Sequence, residues 1–162
     1  MQATETKYSW SDIPEDVKHL LVLASENWED TERSQQYMND ALAKAEDNID
    51  VLVGAYRYFF YKSNPTMALS IARKVLNKIK KEENLPDNWE DLKPILIKER
   101  NNSDVLRMYL NAYASTGFLL AKLGKLDEAK EVTEKVKEID EKRESCATTV
   151  FEVLTAPPEE DE

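Results

Sequence analysis

An all-α fold is what this sequence predicts, and three observations predict it. Apolar residues recur three and four apart along most of the chain, the spacing that gives a helix one apolar face. Only three of the 162 residues are glycine, while 33% are charged, a balance that favours helix over sheet. Asp, Asn and Ser, in places followed by Pro, stand where the apolar-periodic runs begin, as helix N-termini require. No strand-like alternation bounded by hairpin turns competes with this pattern.

The elements follow in order. Residues 1–12 read as an irregular lead-in whose large apolar groups are Tyr8 and Trp10. Asp12 and Pro14 open a first helix with Val17, Leu20, Leu21, Ala24 and Trp28 on its apolar face, ending near Trp28. Asp30 or Thr31 caps a second, which turns Tyr37, Met38, Ala41, Leu42 and Ala45 inward. Asp47 or Asn48 starts a third, running to about Lys62, and Asn64-Pro65 opens a fourth with Ala68, Ile71, Ala72, Val75, Leu76 and Ile79. The chain breaks at Leu85-Pro86-Asp87. Asp87 and Glu90 have capping-box spacing, so a short helix with Trp89, Leu92 and Leu96 follows, carrying Pro94 as a potential kink. Asn101-Asn102-Ser103 caps a long helix to about Leu123, Gly124 stops it, and another helix spans roughly 126–141. A last one is expected around Cys146, Val150 and Leu154, before an acidic tail, residues 155–162, that reads as disordered. The expectation is one helical domain, 13–154, of about eight helices joined by short turns.

Composition narrows the function classes. The formal charge is −10, from 22 basic and 32 acidic residues, and a polyanion such as DNA is repelled by that field. No segment approaches the roughly 18 consecutive apolar residues of a membrane span, and residues 1–7 lack the apolar stretch of a secretory signal. The expectations are no nucleic-acid partner, no membrane insertion and a cytoplasmic location. The one cysteine, Cys146, cannot form an internal disulfide.

The segment from Tyr113 to Ile139 carries a family likeness. Tyr113, Gly117, Leu120, Gly124, Leu126, Ala129 and Val136 stand in it as they do in a pair of antiparallel helices, and the segment resembles a tetratricopeptide repeat. The residues make physical sense. Gly117 and Ala129 are small where two backbones pass closely, and Gly124 permits a left-handed turn between helices. A weaker copy spans 49–79, with Leu52, Ala55, Phe59, Ala68, Ala72 and Val75 in comparable places. Residues 14–46 have the topology but little of the motif, as terminal repeats commonly do. Ala68 and Ala129 are 61 residues apart, against about 34 for adjacent repeats of this family. Residues 82–101 are therefore either an insertion between repeats or an interruption of the stack. The resemblance implies a helical-hairpin superhelix whose concave face binds a partner protein or peptide.

Catalytic chemistry finds little to work with. Metal sites need clustered ligands, and this chain has one histidine, His19, and one cysteine, far apart in sequence. His19 reads as a surface residue of an amphipathic helix, and Cys146 as a small buried residue rather than a nucleophile. The glycines Gly54, Gly117 and Gly124 are isolated, so no phosphate-binding loop exists. Neither a cofactor nor a metal is expected, and no enzymatic activity. Acid pairs such as Glu15-Asp16 and Glu29-Asp30 sit near helix starts, where they complement the dipole.

The unusual feature is Tyr56-Arg57-Tyr58-Phe59-Phe60-Tyr61, six helical residues that point all round the axis. Either neighbouring helices bury all of them, or some line a groove, since Tyr and Arg dominate binding hot spots. Arg73, Lys74, Lys78, Lys80 and Lys81 form a basic cluster on the fourth helix, readable as a solvated face or as a site for an acidic segment. By resemblance to the family's concave surface, the groove is expected to use Asp50, Val53, Arg57, Phe60 and Tyr61 from the third helix. Asn111, Ala114, Phe118, Ala121 and Lys122 come from the sixth. The function so implied is a small adaptor or scaffold, with homo-oligomerisation left open. Rival readings are a dedicated chaperone for a secreted or membrane client, and an enzyme or enzyme subunit.

Overall fold

The computed structural model describes residues 13–139, and among them it has seven α-helices and no strand. They are α1 (Glu15–Glu26), α2 (Thr31–Lys44), α3 (Ile49–Tyr61), α4 (Pro65–Glu82), α5 (Trp89–Glu99), α6 (Asp104–Lys122) and α7 (Leu126–Lys137). The lead-in with Tyr8 and Trp10, the expected last helix with Cys146, and the acidic tail lie outside the described residues.

Local chemistry sets most helix ends. Asp30 accepts the Arg33 N–H, Asn48 accepts those of Asp50 and Val51, Asn64 accepts that of Met67, and Ser103 accepts that of Leu106. Each satisfies donors that the first turn leaves without an intrahelical partner. At the far end of α6, Gly124 takes a φ of 78°, the left-handed conformation that a residue with a side chain resists. Three ends differ from the sequence reading. α1 stops at Glu26, short of Trp28, and has Pro14 rather than Asp12 at its N-cap. α5 is capped by Asn88, whose side chain accepts the Glu90 N–H at 2.8 Å, and not by Asp87. Asp87 faces outward and pairs with Lys80 at 3.2 Å. Pro94 sits within α5 without ending it.

The chain divides into two compact units, Met1–Val75 and Leu76–Glu162, the boundary falling within α4. In the first unit α1 packs on α2 and α2 on α3. The short turn at 27–30 makes α1 and α2 antiparallel neighbours. Their core gathers Ile13, Val17, Ala41 and Val51, with Leu20, Leu21, Leu42 and Ala45 against it. Ser34, fully buried, holds the helices together: its hydroxyl lies 2.6 Å from the Ala24 carbonyl and 2.6 Å from the Tyr58 hydroxyl.

In the second unit α6 packs on α7 and α5 on α6. Gly117 sits at the α6–α7 crossing. A Cβ there would come within 2.6 Å of Thr133 Cγ2 and 3.2 Å of Val132 Cγ1. Ala114 and Val136 form the adjoining core with Leu110, Tyr113 and Val132 around them. Residues 82–101 contribute α5 to this unit. Leu92 and Leu96 are its buried residues, and Arg100 donates to the Ile139 carbonyl.

Candidate interaction surfaces

The aromatic run on α3 is divided between two environments. Tyr56, Tyr58 and Phe59 are buried, Phe60 is half-buried, Arg57 is exposed, and Tyr61 is 72% exposed. Tyr58 faces inward because its hydroxyl meets Ser34 and its ring meets the edge of Trp28, 5.4 Å between centroids. Trp28 is 37% exposed and carries the Lys62 ammonium 3.9 Å from its ring centroid. Lys62 also donates to the Trp28 carbonyl and to the Thr31 hydroxyl, so the end of α3 is fastened to the α1–α2 turn. Next to that clasp Tyr61 stands with the edge of Phe60 against its ring, 5.6 Å between centroids.

Of the residues expected to line a groove from α3, Arg57 and Tyr61 are exposed and Asp50 and Phe60 half-buried. Val53 is not available: at 6% exposure it belongs to the core. On α6, Asn111 and Lys122 are exposed, Phe118 and Ala121 half-buried. Ala114 is the second correction, 5% exposed because that side of α6 meets Val136 of α7. What remains on α6 is a stripe at helical spacing: Asn111, Ser115, Phe118 and Lys122. The Lys122 ammonium lies 5.3 Å from the Phe118 ring centroid, a cation–π contact worth about 0.5–1 kcal/mol at an exposed site. The Ser115 hydroxyl is committed to the Asn111 carbonyl at 2.9 Å, whereas the Asn111 side chain offers both donors and an acceptor to solvent.

The basic cluster of α4 is partly neutralised. Lys78 pairs with Glu82 at 3.0 Å and Lys80 with Asp87, while Arg73, Lys74 and Lys81 are exposed. On α7, Glu131 pairs with Lys135 one turn later at 3.3 Å. The Glu138 carboxylate, just past the end of α7, meets α5. It accepts the Trp89 indole N–H at 2.8 Å and pairs with Lys93 at 3.5 Å. The Trp89 bond, helped by Lys93 and Lys135, holds its pKa below the usual value of 4.5. The Trp89 ring stacks on Tyr113, which stacks on Tyr109. Burial pushes the Tyr109 hydroxyl up to about 12, with Asp87 adding to the shift, and raises that of Tyr113 as well. The sequence reading placed Trp89 on a short helix but missed this clasp, whose partners lie 24 and 49 residues away.

His19 is exposed on α1. Among the described residues no group of three or more His, Cys, Asp or Glu could hold a metal ion, and no helix is long and apolar enough to cross a membrane.

No family model matches this sequence, and no solved structure matches it. The chain is 31% identical over 123 residues to an uncharacterized 19.8 kDa protein in the nifW 5′ region of Azotobacter chroococcum mcd 1. The match covers 75% of this chain and 69% of that protein.

Proposed function

The chain belongs to the same family as that Azotobacter chroococcum protein, and from this premise we propose that it is a non-catalytic, cytoplasmic protein-binding module. Its helical hairpins stack in the tetratricopeptide manner, and it captures a segment of a partner on the outward faces of α3 and α6. Tyr61 carries the reading. It is a large aromatic group, 72% exposed, at the end of a helix whose other tyrosines are buried. Tyrosine in such a position supplies contact area at low entropic cost, and tyrosines are enriched among binding hot spots. Support also comes from α6–α7, where Gly117, Gly124 and Ala129 have the geometry that a repeat pair needs. Among the described residues the buried polar side chains, Ser34, Thr116 and Thr133, are all engaged in structural hydrogen bonds.

The test pairs a thermal melt with partner capture for Tyr61→Ala and Phe118→Ala. The relative's name places it in the region 5′ of nifW, so the nifW product of an organism that carries both genes is the first bait. Both variants are expected to stay folded and to lose capture by about tenfold or more, the scale of a modest hot spot. Folded variants that capture as well as the parent chain would remove α3 and α6 as the binding faces.

A further inference from the structure

Within the second unit, α5 is built more weakly than the helix it packs on. Two of its eleven residues are buried, Leu92 and Leu96, against eight of nineteen in α6, so little apolar area holds it down. Pro94 stands inside it. Proline brings no N–H to the Glu90 carbonyl four residues earlier, and its ring crowds that carbonyl. Polar contacts fasten the two ends of α5 differently. At its start the Trp89 indole donates to the Glu138 carboxylate at 2.8 Å, and Lys93 pairs with the same carboxylate at 3.5 Å. At its far end Arg100 donates to the Ile139 carbonyl, and its own carbonyl accepts from the Arg107 side chain of α6 at 3.3 Å. The first end depends on one half-exposed side chain, the second on backbone carbonyls.

We propose that α5 is a lid on α6, hinged at Arg100 and latched at Glu138, which opens without unfolding the α6–α7 pair. Elements with few buried apolar residues open locally at a free energy below that of global unfolding. Residues 83–88, between α4 and α5, take up the movement of the latched end. Opening parts Trp89 from Tyr113, whose rings stack with centroids 6.1 Å apart. Tyr109 stacks on Tyr113 in turn and is 4% exposed, so the closed lid withholds an aromatic side of α6 from solvent. At about 100° per residue, Tyr109 and Tyr113 lie on the opposite side of α6 from Phe118 and Lys122. The lid is therefore a device beyond the binding faces proposed above, and it does not depend on them.

Native-state hydrogen exchange on the full chain, read amide by amide, is the test. In the parent chain the amides of Leu96, Ile97 and Lys98 should exchange about a hundredfold or more faster than those of Leu119 and Leu120, after correction for intrinsic rates. Glu138→Ala removes the latch and should speed the α5 amides about tenfold, leaving Leu119 and Leu120 unchanged. Pro94→Ala supplies the missing N–H and relieves the Glu90 carbonyl, so it should slow the same α5 amides about tenfold or more. The two variants push in opposite directions, and neither alters a buried residue. α5 amides protected as strongly as Leu119 and Leu120 overturn the proposal, because α5 then opens only with the whole unit. Variants that shift α5 and α6 amides by the same factor overturn it for the same reason. α5 amides indifferent to both variants overturn it as well.

Discussion

α3 and α6 each carry one glycine in mid-helix, and the two glycines have opposite surroundings. Around Gly117 the missing side chain is replaced by Thr133 and Val132 of α7, so the local cost in helix propensity is offset by a closer helix–helix contact. Around Gly54 no described residue comes within 4 Å of where a Cβ would stand. The same division runs through the aromatic residues. Tyr58 has Ser34 for its hydroxyl and Trp28 for its ring, while Tyr61, three residues on, stands in solvent. The difference teaches that composition alone does not make a helix central. α3 is apolar nearly all round, yet Arg57 and Tyr61 on it are exposed.

Gly117→Leu should break the contrast most strongly. Overpacking against Thr133, which is buried and hydrogen-bonded to the Ala129 carbonyl at 2.8 Å, should cost about 1–3 kcal/mol in a denaturant melt. An unchanged midpoint would remove the close crossing. Ser34→Ala leaves the Tyr58 hydroxyl buried without its partner and should cost about 1–2 kcal/mol. Tyr61→Phe, measured beside it, should stay within about 0.5 kcal/mol of the parent. Gly54→Ala should go the other way and raise stability by about 0.5–1 kcal/mol. A loss there would mean that the chain itself needs the glycine. The smallest effect is pH-dependent. Glu138 has a lowered pKa, so its bond to Trp89 contributes stability above pH 4.5 that is lost as pH falls through the folded value. A chain carrying Trp10→Phe and Trp28→Phe keeps Trp89 as its one tryptophan. Its fluorescence should then change in acid before global unfolding, and Glu138→Gln should abolish that step.

Local chemistry made much of the fold legible. Asn64 and Ser103 cap helices where the sequence places them, Asp30 and Asn48 take the role from the alternatives Thr31 and Asp47, and Gly124 takes the left-handed conformation. Caps and turns act within about four residues, and the apolar period reports one helix at a time, so sequence suffices for both. The small residues of 113–139 likewise announced the close α6–α7 crossing.

Tertiary structure decided what lay beyond that range. Asp87 and Asn88 are both competent caps, and only the path of the chain into α5 gives the role to Asn88 while Asp87 pairs with Lys80. Residues 82–101 could be read as an insertion between repeats or an interruption of the stack; within the second unit Trp89 reaches Tyr113 and Glu138 and ties α5 to α6 and the end of α7. Val53 and Ala114 shared a helical face with exposed residues, and neighbours elsewhere in the chain buried them. Which of the six residues from Tyr56 to Tyr61 face solvent was settled by Ser34, Trp28 and Lys62, 24 to 34 residues distant from their α3 or α1–α2 partners. A side chain's burial is a property of what covers it, and the covering groups come from helices whose placement no local period encodes.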